Sequence, residues 1–342
     1  MSNPCYRVTD FEKIVRGVPM RYGVPYQGSK NFIASRIVNA LPKAGTLVDL
    51  FAGGCAITHA AMVKNKYNHY IANDLGSMPK VFLAAIYGAA SDRSRWFRWI
   101  SRDEFIEERK KLPHERDLGI LSVWSFGNNL QCYLYARELE DWKHALWNGV
   151  VDRDYTELDK YETSIKKLID APSIYERRIK ARKCLRHKYI EDAVRNKINS
   201  GEKWNVDTLF TCTSLERLQS LQSLQSLQRL QRLRIFQKDY RTVEIPKDSV
   251  VYCDPPYANT CERAYANMQM NKRLFDHETF WEWVRTRDFP VYVSEYTAPK
   301  DFVSILKMDK RQLMGGNHGY YKNGTGHIQE NLFLHERFAK RK

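Results

Sequence analysis

The chain has 342 residues, 43% of them hydrophobic, and its 55 Lys plus Arg against 40 Asp plus Glu give a formal net charge of +15. This apolar content supports a substantial core and excludes wholesale disorder, and the length fits one large domain or a domain with a sizeable insertion. With no long apolar run and no signal peptide, we expect a cytoplasmic protein without a membrane span, whose positive charge suits a polyanion.

Cysteine usage indicates neither a zinc site nor a disulfide framework. The chain has 7 cysteines, an odd number, and none of them forms a C-x-x-C pair. Cys55, Cys132 and Cys253 lie in apolar surroundings, which is typical of reduced core thiols. We therefore expect no metal centre.

The segment before residue 75 predicts the first half of a doubly wound nucleotide-binding fold. Its elements are a loop at Tyr26–Lys30, a helix over 32–41, a strand at Thr46–Phe51, a turn at Ala52–Gly54, a helix from Ala56 and a strand at Tyr70–Asp74. Two adjacent glycines let the backbone approach a ligand, and Asp74 is placed to accept hydrogen bonds from two ribose hydroxyls. The glycine spacing is not G-x-G-x-x-G, which argues against a nicotinamide cofactor.

Residues 78–204 have a different character, with charged helical segments rich in tryptophan. A Gly-Asn turn interrupts them at Ser122–Asn129. Asn128 and Asn129 are candidates for bonding base edges or phosphates, although Gly-Asn-Asn also favours an ordinary turn. Both interpretations stay open at this stage.

Residues 176–197 are strongly basic. As a helix this run would present a cationic face to phosphates, and the alternative is a solvated charged helix. We favour phosphate contact. The residues expected to make it include Arg177, Arg178, Arg182 and Lys183.

A low-complexity tract places leucine at every third position from Leu215 to Leu233. An α-helix advances about 100° per residue, so a three-residue step winds the leucines around it. A 3₁₀ helix would align them, but such runs are rarely this long. We expect an α-helix with leucines on several faces and no catalytic role.

The run Val250–Cys253 is a strand that stops at Asp254-Pro255-Pro256-Tyr257, because proline cannot donate to a sheet ladder. A carboxylate, carbonyls and an aromatic ring then meet at a strand's carboxyl end, where ligands bind in open α/β sheets. An Asp oxygen and a proline carbonyl can hold the two hydrogens of an exocyclic amine, and a Tyr face can stack on an extruded base.

Farther along, the sequence predicts a helix at 280–284, a strand at 290–296 and a last strand at 328–335. The polar residues 258–273 read as a loop. The glycine-rich residues 315–324 read as the tip of a terminal hairpin.

The D-P-P-Y strand resembles that of the Dam-type DNA adenine methyltransferases. The resemblance extends to the aromatic-x-Gly-x-Lys loop at Tyr26–Lys30, to the Asp49–Gly54 strand and turn, and to the strand that ends at Asp74. It implies a doubly wound, Rossmann-like α/β methyltransferase sheet formed by residues 1–77 and 205–342, with a mainly helical target-recognition insertion at 78–204.

The resemblance also implies roles for individual residues, with S-adenosylmethionine as cofactor. Asp254, Pro255, Pro256 and Tyr257 would form the catalytic segment. The cofactor-binding residues would be Tyr26, Lys30, Asp49, Phe51, Ala52, Gly53, Gly54, Asp74, Asp239, Tyr240 and Asp254.

The function expected from these features is site-specific methylation of the exocyclic amine of adenine in double-stranded DNA. The target base would be flipped out and stacked on Tyr257, whose ring is expected to matter more than its hydroxyl. Alternatives are methylation of cytosine, which usually has Ser in place of Asp254, methylation of RNA, and non-catalytic nucleic-acid binding. A monomer or weak dimer encoded by a bacterium or phage would fit this function.

We predict that DNA affinity falls steeply with salt, because lysines and arginines of the basic run displace condensed counterions. Reversing several of these charges should flatten the slope of log affinity against log salt concentration, measured by fluorescence anisotropy. If the slope does not change, the run is only a solvated face.

Overall fold

A seven-stranded sheet runs through the part of the chain that the computed structural model describes. The described residues are 21–89, 94–160, 165–181, 232–257, 275–311 and 327–339, together with the single positions 217, 221, 224 and 227. The strands are β1 (Thr46–Asp49), β2 (His69–Asn73), β3 (Leu233–Phe236), β4 (Ser249–Cys253), β5 (Val291–Glu295), β6 (Phe302–Arg311) and β7 (His327–His335).

The strand order is β3-β2-β1-β4-β5-β7-β6. The first five strands in this order are parallel, and β7 runs antiparallel between β5 and β6. In the register, Asp49 of β1 lies opposite Ala72 of β2 and Tyr252 of β4. The predicted doubly wound, Rossmann-like α/β sheet is confirmed, and so is the antiparallel hairpin at its end.

The helices lie between the strands and in the middle of the chain. They are α1 (Ala34–Ala40), α2 (Ala56–Val63), α3 (Met78–Tyr87), α4 (Arg102–Lys110), α5 (Leu118–Trp124), α6 (Glu140–Val151), α7 (Ile165–Ile169), α8 (His277–Arg285) and α9 (Glu336–Ala339). Side chains satisfy unpaired backbone N–H groups at the starts of some helices, as Asp117 does for α5 and Asp276 for α8.

Both faces of the sheet are covered, which explains why its central strands read as continuous apolar runs. Successive side chains of a strand point to opposite faces. Leu47 and Tyr252 accordingly pack into one core, while Val48 and Val251 pack into the other, which is closed by Phe280 of α8.

The described residues between 78 and 181 are mainly helical, as expected. Its aromatic residues pack together, with the Trp99 ring 4.9 Å from Trp124 and 6.0 Å from Trp147 between centroids. This aromatic core is continuous with the one on the Leu47 face of the sheet. Helix α3 also contacts strand β3. The domain boundaries at 77 and 204 stay a prediction.

The leucine tract differs from the expectation at two of the positions that the structure describes. Leu221, Leu224 and Leu227 are all buried in one core, and residues 224 and 227 have 3₁₀ rather than α conformation. A 3₁₀ turn has three residues, so side chains three apart fall on the same side. The expected α conformation is present at residue 221, whereas it is wrong at residues 224 and 227.

Two further findings concern the described part of the chain alone. No helix in it has the length and apolar character needed to cross a membrane. Within the same ranges, no three His, Cys, Asp or Glu side chains are arranged to hold a metal ion. The predicted loop at 258–273 and the glycine-rich tip at 315–324 lie outside the described residues.

Candidate active site

Three acidic residues gather where the parallel strands end. Asp49 ends β1, while Asp74 and Asp254 directly follow β2 and β4. Strand β1 lies between the other two, and the order of the strands along the chain reverses between β1 and β4. Ligands of doubly wound folds bind outside the carboxyl ends of the strands at such a point.

The glycine turn after β1 lies against the loop that contains Tyr26. The Val24 backbone N–H donates to the Gly54 carbonyl at 2.8 Å. Gly53 has a φ of +47°, and a Cβ on it would lie 2.8 Å from the Tyr26 ring. A side chain at Gly53 is thus excluded by both backbone conformation and space. The structure thus brings together Tyr26 and Gly53, two of the residues predicted to bind the cofactor.

Asp74 is anchored to this turn. One of its carboxylate oxygens accepts from the Gly53 N–H at 2.9 Å, and the other accepts from the Gly76 N–H at 2.7 Å. Burial raises the pKa of Asp74, and these two hydrogen bonds oppose the rise. A carboxylate can accept about four hydrogen bonds, so Asp74 retains capacity for ligand hydroxyls.

Asp49 lies beneath the turn and is 1% exposed. The Thr58 hydroxyl donates to its Oδ2 at 2.9 Å, while its buried Oδ1 has no hydrogen-bond partner among the described atoms. Burial raises the pKa of Asp49 to about 7, with further upward contributions from Asp254 and Asp74. Asp49 is therefore an acid that titrates near neutral pH at the floor of the site.

Lys30, Asp254, Tyr257 and Glu330 form a buried group that we call the Lys30 cluster. Lys30 is 5% exposed, and its Nζ lies 2.7 Å from Asp254 Oδ1 and 3.4 Å from Glu330 Oε1. The same Nζ lies 4.5 Å from the centroid of the Tyr257 ring, and the Tyr257 hydroxyl donates to Glu330 Oε1 at 2.7 Å. Burial raises the pKa of Tyr257 well above its ordinary value, so the hydroxyl keeps its proton.

Phe51, Asp239 and Tyr240 lie together at the β3 side. The Phe51 ring centroid is 5.1 Å from that of Tyr240. The Asp239 carboxylate accepts from Arg241 Nε at 2.9 Å and from Arg241 Nη2 at 2.6 Å, and these bonds lower the pKa of Asp239. Asn73 joins this segment to the first turn, because its amide donates to both the Leu50 and Lys238 carbonyls. The cofactor contacts expected of these residues stay predictions.

The predicted DNA-contacting asparagines lie in a tightly held turn. Asn128 has a φ of +58°. Asn129 Oδ1 accepts from the backbone N–H groups of Gln131 and Cys132 at 2.9 and 3.0 Å, so this oxygen stabilises the turn itself. The buried Arg217 supports the same turn by donating to the Ser125 carbonyl at 2.7 Å.

Arg177 does not occupy the position predicted for it. It is 3% exposed, and its guanidinium donates to the carbonyls of Val150, Ala171 and Pro172 at 2.6, 2.6 and 3.0 Å. Its donors thus satisfy backbone oxygens in the interior, where a phosphate has no access. Arg178 lies over the Tyr175 ring and is partly exposed, while Arg182 and Lys183 lie outside the described residues.

Sequence reasoning missed Glu330, although the sequence holds a signal for it. Glu330, Leu332 and Leu334 alternate along β7 and therefore share a face. The two leucines are buried in the core, so the acid between Gln329 and Asn331 had to be buried too. A buried acid in a strand requires a partner, and the partners here are Lys30 and Tyr257.

The sheet has the strand order of a Rossmann-like methyltransferase fold. The model of the D12 class N6 adenine-specific DNA methyltransferase family matches residues 26–144. This confirms the resemblance to the Dam-type enzymes and makes DNA adenine methylation the general activity. The matched segment includes the glycine turn and Asp74 and ends before Asp254. No curated protein matches the chain.

We predict that Asp49 makes stability depend on pH. Its pKa rises from an ordinary 3.8 to about 7 in the folded protein, which therefore holds a proton that the unfolded chain releases between these values. The contribution of Asp49 to the free energy of unfolding falls as pH rises from about 4 to about 7 and is constant above that.

The Asn side chain of the Asp49→Asn variant cannot ionise. The free energy of unfolding of this variant minus that of the wild type should therefore increase as pH rises from about 4 to about 7. Urea denaturation at several pH values measures the difference. The exposed Asp288→Asn serves as the control and should show no such trend. A difference independent of pH for Asp49→Asn would contradict the assignment.

Proposed function

We propose that this protein transfers the methyl group of S-adenosylmethionine to the exocyclic amine of adenine at specific sites in DNA, giving 6-methyladenine. The observation that carries the proposal is the position of Asp254. It follows the strand beside the point where the chain order reverses, and Lys30 pairs with its Oδ1 at 2.7 Å. Lys30 thereby fixes a carboxylate at the place where the fold binds ligands.

The residues around the glycine turn fit this cofactor. Asp74 offers acceptors for two ribose hydroxyls, and the glycines of the turn let the loop that contains Tyr26 lie directly against the end of β1. The orphaned Oδ1 of Asp49 adds a buried acceptor beneath the turn. When bound, S-adenosylmethionine supplies an electrophilic methyl group, and the transfer of this group does not require a metal ion.

The negative charge of the site favours a cationic ligand. Lys30 is one positive charge against the carboxylates of Asp254 and Glu330, and Asp74 adds a further carboxylate nearby. Charges buried in a medium of low dielectric interact more strongly than in water. A sulfonium compound therefore suits this site better than a neutral or anionic nucleotide.

Asp254 and Pro255 would hold the substrate amine. The lone pair of an exocyclic amine is delocalised into the ring, which makes the nitrogen a weak nucleophile. Two acceptors, the Asp254 carboxylate and the Pro255 carbonyl, can bind its two hydrogens and direct the lone pair outward. Positioning and charge complementarity then supply most of the rate enhancement.

The base would reach these acceptors by leaving the DNA duplex, since the amine is otherwise paired inside it. Tyr257 then provides an aromatic surface beside Asp254. Its ring is 7% exposed and lies nearly perpendicular to that of Tyr296, with 4.5 Å between the centroids. The net charge of +15 favours the DNA backbone as the partner.

Incubation with isotopically labelled S-adenosylmethionine and DNA, followed by digestion and mass spectrometry of the nucleosides, tests the proposal. We expect label in 6-methyladenine and none after the substitution Asp254→Ala. Label in a cytosine derivative, or in RNA alone when both nucleic acids are offered, would contradict it. The absence of any labelled nucleoside with folded wild-type protein would reject it altogether.

We predict that Asp74→Ala weakens cofactor binding. Hydrogen bonds to a charged group contribute roughly 1.5–3 kcal/mol, so affinity should fall about tenfold or more. Calorimetry with S-adenosylmethionine and with S-adenosylhomocysteine should give the same factor, because both carry the ribose. Asp74→Asn keeps one acceptor oxygen and should lose less. Unchanged affinity in Asp74→Ala would remove this residue from the site.

We also predict that Tyr257→Ala lowers single-turnover methylation roughly ten- to a hundredfold, because stacking of a base on an aromatic ring contributes about 1–3 kcal/mol. Tyr257→Phe keeps the ring and should lose less. Cofactor affinity, measured by calorimetry, should survive both substitutions. Equal losses in the two variants would show that stacking on this ring is not what Tyr257 provides.

A further inference from the structure

Glu330 is a buried carboxylate outside every segment to which a function has been assigned. It lies in strand β7 and is 0% exposed. Removing a carboxylate from water is costly, and it is tolerated when charged and hydrogen-bonding partners replace the solvent. Two of its partners, Lys30 and Tyr257, belong to the proposed reaction centre.

Its contacts join three distant parts of the chain. Glu330 Oε1 accepts from the Tyr257 hydroxyl at 2.7 Å and lies 3.4 Å from Lys30 Nζ. Tyr257 belongs to the exit from β4, and Lys30 ends the loop before α1. Glu330 Oε1 therefore contacts both Lys30, which pairs with Asp254, and Tyr257, which follows Asp254 in the same segment.

The hydroxyl bond restricts the orientation of the Tyr257 ring. A tyrosine held only at its backbone can change its χ angles, whereas one also held at its hydroxyl has both ends of the side chain fixed. The adjacent Asn331 holds the backbone of Tyr296, because its amide donates to the Tyr296 carbonyl at 3.2 Å. Strand β7 thus contacts Tyr257 at its hydroxyl and Tyr296 at its backbone.

From this geometry we infer that Glu330 is a positioning residue, which orients the Tyr257 ring for the target base by accepting the hydrogen bond of its hydroxyl. The activity part of this inference rests on the proposed function. Its basis is the combination of complete burial, the 2.7 Å bond and the shared contact with Lys30. Glu330 itself need not contact the base or the cofactor.

The comparison of Glu330→Gln with Glu330→Ala tests the inference. Gln retains a carbonyl oxygen that accepts from Tyr257 but loses the charge that faces Lys30. We expect Glu330→Gln to keep single-turnover methylation within about twofold of the wild type, and Glu330→Ala to lose roughly three- to fivefold, as Tyr257→Phe does. The double variant Tyr257→Phe/Glu330→Ala should lose no more than about twofold beyond Tyr257→Phe alone.

Two matched controls separate positioning from a loss of stability. Asp301→Asn changes a half-buried carboxylate that pairs with Arg285 at 2.6 Å, and Tyr67→Phe removes a part-buried hydroxyl bond to the Pro42 carbonyl at the opposite end of the sheet. Both control variants should reduce the unfolding temperature about as much as Glu330→Ala does, while leaving the methylation rate within about twofold of the wild type.

A second readout does not depend on activity. With 3-fluorotyrosine in place of tyrosine, the resonance of Tyr257 is the one that disappears from the fluorine spectrum in Tyr257→Phe. It should shift in Glu330→Ala and shift less in Glu330→Gln. If Glu330→Ala does not fold, comparison of the fluorine spectrum and methylation rate of Glu330→Gln with those of Tyr257→Phe still tests whether Glu330 orients Tyr257.

The inference is overturned if Glu330→Gln is as slow as Tyr257→Phe, since the charge facing Lys30 would then be what matters. It is also overturned if the losses in the double variant multiply, or if the Tyr257 resonance stays in place in Glu330→Ala. A folded wild-type protein that methylates no DNA rejects the proposed function alone, because the fluorine spectrum still tests the contact between Glu330 and Tyr257.

Discussion

The ion pairs of Lys30 are the interaction on which the rest of the site depends. An ammonium group removed from water is stabilised only by close opposite charge, and here Asp254 and Glu330 supply it at 2.7 and 3.4 Å. These three residues come from the first loop, the exit of β4 and the last strand. The sheet can therefore complete this site only after its first and last segments have assembled around β4.

The same cluster sets the charge balance of the site. Its two carboxylates exceed the single ammonium by one negative charge, while the raised pKa of Asp49 keeps that acid partly protonated near neutral pH. A further full negative charge beneath the turn would add repulsion in a buried region. The arrangement leaves an excess of negative charge that complements a cationic methyl donor, as in the proposed function.

The sequence was sufficient for the local features and insufficient for the long-range ones. The strand at Val250–Cys253 and its proline exit follow from backbone chemistry, and the turn at Gly53 follows from residue type. The pairing of Lys30 with Glu330 depends on the folded sheet, which no local pattern reports.

Arg177 shows the same limit. A run of basic residues does not reveal which guanidinium turns inward to bind carbonyl groups, because that choice is made by tertiary packing. The leucine tract shows a related limit. Its three-residue period favours 3₁₀ geometry and its length favours an α-helix, and the structure has α conformation at residue 221 and 3₁₀ conformation at residues 224 and 227.

The proposed function requires that the Asp254 carboxylate and the Pro255 carbonyl hold the amine of an extruded adenine. A crystal structure of the protein with S-adenosylhomocysteine and a DNA duplex that contains the target site would show these contacts. We expect the adenine N6 at hydrogen-bond distance, about 2.7–3.2 Å, from both acceptors. An adenine still stacked in the duplex, or an N6 bound by other residues, would contradict it.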